Sequence, residues 1–273
     1  MARYAFLGPS GTFTEEALLS LEIPGLDAQP CASIEEVFAA VERRDAEAGI
    51  VPIENSVEGS VNATLDALAF DSTLTIHREV VLDIHHALIA EPGVSLEDIE
   101  VIASHPHATA QCRGWLAENL PGRTIAAANS TAEAVQRAVA EPGVAAVGTR
   151  LAAEIHGGRI LAAAIEDYVD NKTRFVVVGR QIAERTEDDK TTLALFLHRD
   201  RPGALLMILS EFAYGNINLT KIQSRPTKRA LGEYMFFVDL QGHMDDPEVA
   251  LALDCLRLKL REVKVLGSYP RAW

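Results

Sequence analysis

The chain has 273 residues, which allows one large and one small domain, and its 48% apolar content is enough for buried cores and too high for a disordered chain. Its net charge of −14 argues against binding to nucleic acids or to an anionic membrane surface, because both need a basic face. Small anions remain compatible with this charge, because a few backbone N–H groups can bind a carboxylate locally. No apolar run is long enough to span a bilayer and residues 1–8 lack the pattern of a signal peptide, so we expect a cytoplasmic protein.

The three cysteines, Cys31, Cys112 and Cys255, are far apart in the sequence and form no C-x-x-C pair. This pattern supports neither a disulfide framework nor a zinc site. We therefore expect all three to be small buried residues.

Short apolar strands alternate with helical stretches over the first two thirds of the chain. In chain order we predict strands at 3–7, 48–52, 82–90, 101–104, 144–148 and 175–178, with a polar loop at 53–56. We also predict a helix at 13–21 capped by Thr12 or Thr14, a turn at 105–107 followed by a helix to 116, and a capping box from Ser130 to Glu133. Alternating strands and helices predict a parallel sheet that is covered by helices on both faces.

A polar segment separates this part from the rest of the chain. Residues 184–190 contain no apolar anchor, so we predict a linker there between a domain at 1–183 and a domain at 191–273. Beyond the linker we predict strands at 191–198, 219–224, 234–240 and 263–266, with helices from 202 to about 213 and at 247–260. This βαββαβ order is typical of an α+β ferredoxin-like domain.

Five polar segments, each next to a predicted strand, carry candidate chemistry. They cover residues 8–14, 52–61, 104–106, 129–131 and 171–175. Ligand sites of open α/β sheets lie past the carboxyl ends of the strands, where helix N-termini offer unpaired N–H groups, so a small anion is the predicted ligand class. Taken singly, the segments also fit structural roles: a turn at residues 8–11, a helix cap at Asn55 and Ser56, and a surface turn at His105.

Taken together, these segments resemble the prephenate dehydratase family. The matching motifs extend over essentially the whole chain: G-P-x-G-T-F-T at 8–14, P-I-E-N-S-x-x-G-S-V at 52–61, S-H-P at 104–106, N-x-T-R-F at 171–175, P-G-A-L at 202–205, N-I-N-L-T-K-I at 216–222, S-R-P at 224–226 and L-G-S-Y-P at 266–270. The resemblance implies a two-lobed α/β catalytic domain like the type II periplasmic binding proteins, with crossings between lobes near 78 and 170. It also implies a C-terminal ACT domain, a homodimer or homotetramer, and L-phenylalanine as effector.

The implied activity is the conversion of prephenate to phenylpyruvate in L-phenylalanine biosynthesis, with loss of the ring hydroxyl as water and the ring carboxylate as CO2. Aromatisation of the ring drives this reaction, so we expect no metal and no other cofactor. The resemblance assigns Thr173 to the leaving hydroxyl, and we expect a polar network around it that includes Asn55, Ser56, Ser104 and His105. The predicted substrate-binding residues are Gly11, Thr12, Glu54, Ser130, Thr131, Asn171, Arg174 and Phe175.

Two of these residues have open alternatives. Arg174 either holds a substrate carboxylate or faces away from the cleft, and Phe175 either dries the cleft or belongs to the core. The predicted effector site comprises Gly203, Ala204, Leu205, Asn218, Leu219, Ser224, Arg225 and Pro226. The same segment also fits a ferredoxin-like domain that only dimerises.

Two residues depart from the family pattern. His107 stands where glutamine is usual, and Gln223 stands where glutamate is usual. Some bacterial members carry a chorismate mutase domain in front, which we do not expect here because the first predicted strand begins at residue 3. Two other functions stay open: an arogenate dehydratase, and a sensor that binds an amino acid without catalysis.

Overall fold

The computed structural model describes residues 2–228 and 233–272. Contacts separate the chain into two compact units, of which the first comprises Met1–Val61 and Val81–Phe175 and the second comprises Asn62–Val80 and Val176–Trp273. Each unit is therefore built from two separate stretches of the chain. The domain limits that we placed at 183 and 191 remain predictions.

The described residues form fifteen strands and nine α-helices. The strands are β1 (Ala2–Leu7), β2 (Leu26–Cys31), β3 (Ala48–Asn55), β4 (Gly59–Ser60), β5 (Thr75–Asp83), β6 (Ala87–Ala90), β7 (Val101–Ser104), β8 (Thr124–Ala127), β9 (Val144–Gly148), β10 (Arg159–Ala163), β11 (Lys172–Gly179), β12 (Asp189–Phe196), β13 (Leu219–Pro226), β14 (Tyr234–Gln241) and β15 (Glu262–Pro270). The helices are α1 (Phe13–Leu19), α2 (Ile34–Glu42), α3 (Asn62–Asp66), α4 (Pro106–Gln111), α5 (Arg113–Asn119), α6 (Thr131–Ala140), α7 (Arg150–His156), α8 (Ala204–Tyr214) and α9 (Pro247–Lys259). A π-helical turn at Ala67–Asp71 follows α3.

The first lobe of the first unit contains β1 to β4 with helices α1 and α2. Strand β1 pairs in parallel with β2 and with β3, as expected for βαβ connections through α1 and α2. Strand β3 runs on to Asn55, because the short strand β4 folds back and pairs with its end, with Glu54 opposite Ser60. The predicted polar loop at 53–56 is therefore wrong for its first three residues.

The second lobe of the first unit is a five-stranded sheet in the order β10-β6-β9-β7-β8. Strand β7 is parallel to β8 and β9, but β6 is antiparallel to both of its neighbours, so the predicted all-parallel sheet is wrong. Neither β9 nor β10 directly follows β6 in the chain, so no single strand–helix–strand crossover fixes its direction. The predicted single strand at 82–90 is two strands that belong to different sheets and are separated by residues 84–86.

Helices cover both faces of this second sheet, as predicted. Alternate residues of β6 and β9 face α6 and α7 on one side and α4 and α5 on the other. The predicted turn at 105–107 is the start of α4, in which His105 is the N-cap and Pro106 the first helical residue. Of the three cysteines, Cys112 is buried in this core while Cys31 and Cys255 are partly exposed, so the expectation of burial is correct only for Cys112.

The second unit contains the predicted ferredoxin-like fold. Strands β12 to β15 form an antiparallel sheet in the order β13-β14-β12-β15, and with α8 and α9 they give the order βαββαβ. The apolar residues of α8 and α9 pack on this sheet in one buried cluster that includes Ile208, Phe212 and Leu253. The prediction of an α/β part followed by an α+β ferredoxin-like part is confirmed.

Strand β5 belongs to the second unit over most of its length and pairs in parallel with β15, where Gly267 lies opposite Ile76. A Cβ atom on Gly267 would lie 2.2 Å from the Ile76 carbonyl oxygen, so only glycine permits this approach.

Strand β12 begins inside the segment that we predicted as a linker. Asp189 and Lys190 are strand residues with 4% and 2% of their surface exposed. The Lys190 ammonium donates to both carboxylate oxygens of Glu79 on β5, at 2.8 and 2.9 Å. Two polar residues of this segment are therefore strand residues, and a buried ion pair satisfies the charge of Lys190. The linker at 184–190 stays a prediction.

Candidate active site

The side chain of Asn55, at the end of β3, has a single orientation. Its Oδ1 accepts hydrogen bonds from the backbone N–H groups of Val57 and Glu58, both at 2.9 Å. The Nδ2 group must therefore face the opposite side, where it donates to Asn171 Oδ1 at 2.8 Å and to Thr173 Oγ1 at 2.9 Å. Three of the predicted site residues are thus in direct contact.

The Thr173 hydroxyl is buried at the start of β11 and accepts from Asn55. A hydroxyl has one hydrogen and two lone pairs, so this bond leaves the hydrogen unused. Within residues 2–228 and 233–272, the Thr173 hydroxyl donates to no acceptor. The hydrogen is consequently available for a group that enters the site.

Ser56 fastens the loop after β3 to the chain before β11. Its backbone N–H donates to the Lys172 carbonyl at 2.8 Å, and its hydroxyl accepts from the Lys172 N–H at 2.9 Å. The same hydroxyl donates to the Asp170 carbonyl at 3.2 Å. Ser56 therefore holds the Asn55 loop beside Thr173 and has no hydrogen left for a ligand.

The hydrogen-bond chain continues beyond Asn171 to residues that the sequence did not single out. Asn171 Nδ2 donates to Gln111 Oε1 at 2.8 Å, and His86 Nε2 lies 3.1 Å from the same oxygen. Gln111 Nε2 is 3.4 Å from the Glu58 carboxylate. A signal was present for two of these residues, since His86 interrupts an apolar run and Gln111 follows one helical stretch after the S-H-P motif.

Burial lowers the pKa of His86, which is 3% exposed, and the hydrogen bond to Gln111 opposes this shift only in part. The ring of Phe13 packs against the His86 ring edge-on, at 5.3 Å between centroids. The lowered pKa favours the neutral form of the imidazole.

Arg174 and Phe175 follow Thr173 in β11. The Arg174 guanidinium is 5% exposed and lies 3.3 Å from a Glu54 carboxylate oxygen, so it already has an anionic partner. Phe175 is 2% exposed and belongs to the core.

Ser104 and His105 are not joined to Thr173 by hydrogen bonds among the described residues. The Ser104 hydroxyl donates to the Val147 carbonyl at 2.7 Å, inside the second sheet. His105 Nδ1 accepts from the His107 N–H, which makes it the cap of α4, and burial together with the neighbouring His107 lowers its pKa. Ser104 also lines a cavity of about 470 Å³ between α4, α5 and β8, but none of the Asn55, Asn171 and Thr173 side chains lines that cavity.

The turn at 8–14 belongs to the first lobe and packs on helices of the second. The Thr149 hydroxyl donates to the Gly11 carbonyl at 2.6 Å, and a Cβ on Gly11 would lie 2.9 Å from Ala152 Cα on α7. The Thr12 hydroxyl donates to the Leu7 carbonyl. Gly11 therefore permits a close contact between the two lobes, and no bond links Gly11 or Thr12 to Thr173 in the described chain.

Helix α6 begins beside this turn, since Ala132 in its first turn lies 3.4 Å from the Cβ position of Gly11. The Ser130 hydroxyl accepts from the Glu133 N–H at 3.0 Å, as the capping box predicts. The Glu133 carboxylate accepts from the Asn129 N–H, one residue earlier than predicted. Thr131 is the first helical residue and is partly exposed.

The predicted effector residues occupy three places in the second unit. Gly203 is the N-cap of α8 with φ +84°, a value that favours glycine, and Leu205 is exposed beside it while Ala204 faces the core. Asn218 is exposed and its carbonyl accepts from the Gln241 N–H, and Leu219 begins β13.

The remaining three effector candidates are consecutive residues of β13. Ser224 and Pro226 are exposed, but Arg225 is turned towards α3. The Arg225 guanidinium donates to Asp66 at 2.6 Å and also to the Asn62 side-chain oxygen.

No group of three or more His, Cys, Asp and Glu side chains among the described residues could hold a metal ion. No described helix is both long and apolar enough to cross a membrane.

Comparison with known proteins identifies the family. The family model described as prephenate dehydratase matches residues 4–183, and the model described as ACT domain matches residues 191–254. The chain belongs to the prephenate dehydratase family. A prephenate dehydratase from Mycolicibacterium vanbaalenii is 42% identical over 286 residues, which cover 99% of this chain and 91% of that protein.

Two solved structures extend the comparison. The crystal structure of a prephenate dehydratase from Arthrobacter aurescens in complex with L-Phe has a TM-score of 0.91 and 43% identity, and the match covers 99% of this chain and 90% of that one. A structure described as a novel type of quorum quenching acylase has a TM-score of 0.88 and 31% identity, with 99% and 98% of the two chains covered. The protein is thus an enzyme of a family of lyases that remove water and CO2 from prephenate, and it carries an ACT domain.

Proposed function

We propose that this member of the prephenate dehydratase family converts prephenate to phenylpyruvate and that Thr173 donates to the leaving ring hydroxyl. The observation that carries the proposal is the orientation of Asn55, which places an N–H donor on Thr173 Oγ1 and leaves the hydroxyl hydrogen unused. Because Asn55 holds the Thr173 oxygen in place before the substrate enters, this group does not have to be ordered during the reaction.

The chemistry fits this arrangement. The bond from the ring carbon to the hydroxyl oxygen breaks as the ring carboxylate leaves as CO2, and the electron pair of the broken carbon–carbon bond completes the aromatic ring. The leaving oxygen takes the Thr173 proton and departs as water, and Thr173 regains a proton from solvent. Negative charge develops on Thr173 Oγ1 during the transfer, and the N–H of Asn55, at 2.9 Å, stabilises it.

We further propose that Arg174 holds the Glu54 side of the loop in place rather than binding a substrate carboxylate, because its guanidinium lies beside the Glu54 carboxylate. The substrate carboxylates would then meet the N–H groups at the start of α6 beside Thr131 and at the turn around Thr12. Helix N-termini favour anions for this purpose.

The test compares two variants of Thr173 and one control variant by the rate of phenylpyruvate formation. Thr173→Val keeps the shape but removes the hydroxyl, and we expect kcat to fall by roughly 10²–10⁴ with little change in KM. Thr173→Ser keeps the hydroxyl and should retain much of the rate. Thr124→Val, on the exposed strand β8, is the control and should be unchanged. A Thr173→Val enzyme that runs at the wild-type rate would remove Thr173 from the mechanism.

There are specific reasons to test two other activities. Arogenate differs from prephenate by an amino group on the side chain, and the same hydroxyl would serve it. The similarity to the structure described as an acylase motivates a second candidate, hydrolysis of an acyl–amide bond. Parallel assays with prephenate, arogenate and a set of N-acyl amines separate the three, and the largest kcat/KM identifies the substrate.

We propose that L-phenylalanine inhibits the enzyme through the ACT domain of a homodimer or homotetramer. The support is the L-Phe complex of the Arthrobacter aurescens relative and the exposed start of α8 at Gly203. A side chain at Gly203 would meet no atom within 4 Å but would be strained by its φ of +84°. Calorimetric titration should therefore show weaker L-phenylalanine binding to Gly203→Val than to wild type, and sedimentation should report the oligomer.

Arg225 has a different part in the proposed regulation. Its guanidinium contacts Asn62 and Asp66 on α3, the helix that directly follows the loop at 52–61. We propose that this contact transmits the effector signal to the loop. Asp66→Asn should then keep L-phenylalanine binding and reduce the inhibition, since coupling free energies of about 1–3 kcal/mol are typical.

A further inference from the structure

The orientation of Asn55 determines the orientation of every side-chain amide that is bonded to it. Because Asn55 Oδ1 faces two backbone N–H groups, Asn55 Nδ2 must donate to Asn171, which must present Oδ1. Asn171 Nδ2 then donates to Gln111, which must accept this hydrogen bond with Oε1, at 2.8 Å. These orientations follow from donor and acceptor chemistry alone.

The same logic fixes the proton on His86. Its Nε2 lies 3.1 Å from Gln111 Oε1, an oxygen that can only accept, so His86 Nε2 must carry the hydrogen. The other ring nitrogen, Nδ1, is buried and has no hydrogen-bond partner among the described residues. A neutral imidazole with a single hydrogen on Nε2 satisfies both observations.

We infer that His86 is a positioning residue for the reaction proposed above. Its Nε2–H group, together with the Glu58 carboxylate on Gln111 Nε2, holds the Gln111 amide. Gln111 in turn holds Asn171 Oδ1 against the same Asn55 Nδ2 group that donates to Thr173. His86 does not touch the substrate. It acts through the Gln111, Asn171 and Asn55 amides on the position of the Thr173 oxygen.

Loss of the His86 donor has a defined consequence. Gln111 is then held only by Asn171 and by the longer 3.4 Å contact of its Nε2 with Glu58, so its amide can turn and face Asn171 with Nε2. This would oppose one donor with another. The Asn55 amide cannot rotate in response, because the N–H groups of Val57 and Glu58 donate to its Oδ1. The bond between Asn171 and Gln111 or the bond between Asn171 and Asn55 is then lost.

The test replaces His86 by side chains that differ in where they carry an N–H group. His86→Leu and His86→Asn should each lower kcat about tenfold, the rate equivalent of one net hydrogen bond, with KM nearly unchanged. His86→Gln places an amide N–H close to the position of Nε2 and should stay within about threefold of wild type. Equal rates in His86→Leu and wild type, or a His86→Gln enzyme as slow as His86→Asn, would overturn the inference.

A double variant separates positioning from a general loss of packing. In the Gln111→Leu background the chain of amides is already broken, so adding His86→Leu should cause no further loss of kcat. Multiplicative losses in the double variant would instead show that His86 acts independently of Gln111. Thermal unfolding of each variant establishes that the compared enzymes are folded.

A spectroscopic readout stands apart from turnover. In the 15N NMR spectrum of the histidine-labelled wild-type protein at neutral pH, His86 should show a protonated Nε2 and an unprotonated Nδ1, and Gln111→Leu should shift the Nε2 signal. A hydrogen on Nδ1 would refute the inference even in an active enzyme. An enzyme without prephenate turnover would refute the proposed function, and the NMR result would still decide the state of His86.

Discussion

The buried ion pair between Lys190 and Glu79 is the interaction whose loss we expect to destabilise the second unit most. Both side chains are almost fully buried, and the Lys190 ammonium donates to both oxygens of the Glu79 carboxylate. Lys190→Met removes one charge and leaves the other without its cation in a dry environment. Removing one partner of such a pair costs about 3–5 kcal/mol of unfolding free energy, which corresponds to a fall in Tm of roughly 6–20 °C.

The assay is urea unfolding followed by circular dichroism, together with a thermal scan. A matched control is Arg137→Met, which removes an exposed ion pair with the same 2.8 Å separation from Glu141 and should cost less than about 1 kcal/mol. The double variant Lys190→Met/Glu79→Leu buries no charge and should recover most of the lost stability. If Lys190→Met costs no more than Arg137→Met, then the pair does not hold β12 to β5 in the way we describe.

Three further predictions concern stability. Gly267→Ala places a Cβ 2.2 Å from the Ile76 carbonyl oxygen and should lower the unfolding free energy by about 1–3 kcal/mol in urea titrations. Burial alone would raise the pKa of Glu166, but hydrogen bonds from His85 and from the backbone outweigh it and lower that pKa, so Glu166 stabilises the protein above its unfolded pKa. This contribution is lost as the pH falls through the lowered value, and Glu166→Gln should therefore flatten the acid limb of the stability profile below about pH 5. A chain that ends at Arg185 should melt at a lower temperature than the full chain, because β5 loses its pairing with β15.

Short sequence patterns predicted the secondary structure well where strands and helices simply alternate along the chain. The strand at 144–148 has the predicted bounds, because it is a short apolar run between a helix and a turn. The βαββαβ order of the second unit was also readable from the sequence, since each strand there has a buried face and each helix an apolar stripe.

The errors lie where long-range contacts decide the local structure. The end of strand β3 pairs with β4, which returns to it from further along the chain, and β6 is antiparallel to β9 and β10, which come much later in the sequence. Lys190 looks like a linker residue until its partner Glu79, 111 positions earlier, is known. No pattern in a short window contains that information.

In the candidate site, too, the residues in recognisable motifs were predicted and those defined by long-range contacts were not. The sequence motifs predicted Asn55, Asn171 and Thr173 as site residues, and hydrogen bonds join these three side chains in the structure. Gln111 and His86 were missed, because a glutamine in a helix and a histidine that interrupts an apolar run are only weak signals until their partners are in contact.

The measurement that tests the central claim most directly is the conversion of prephenate by the purified wild-type enzyme and by Thr173→Val, followed as phenylpyruvate formed over time. The account predicts steady turnover by the wild type and a kcat that is lower by roughly 10²–10⁴ in Thr173→Val, with a similar KM. Wild-type turnover that survives the loss of the hydroxyl, or a wild-type enzyme that leaves prephenate unchanged, would contradict it.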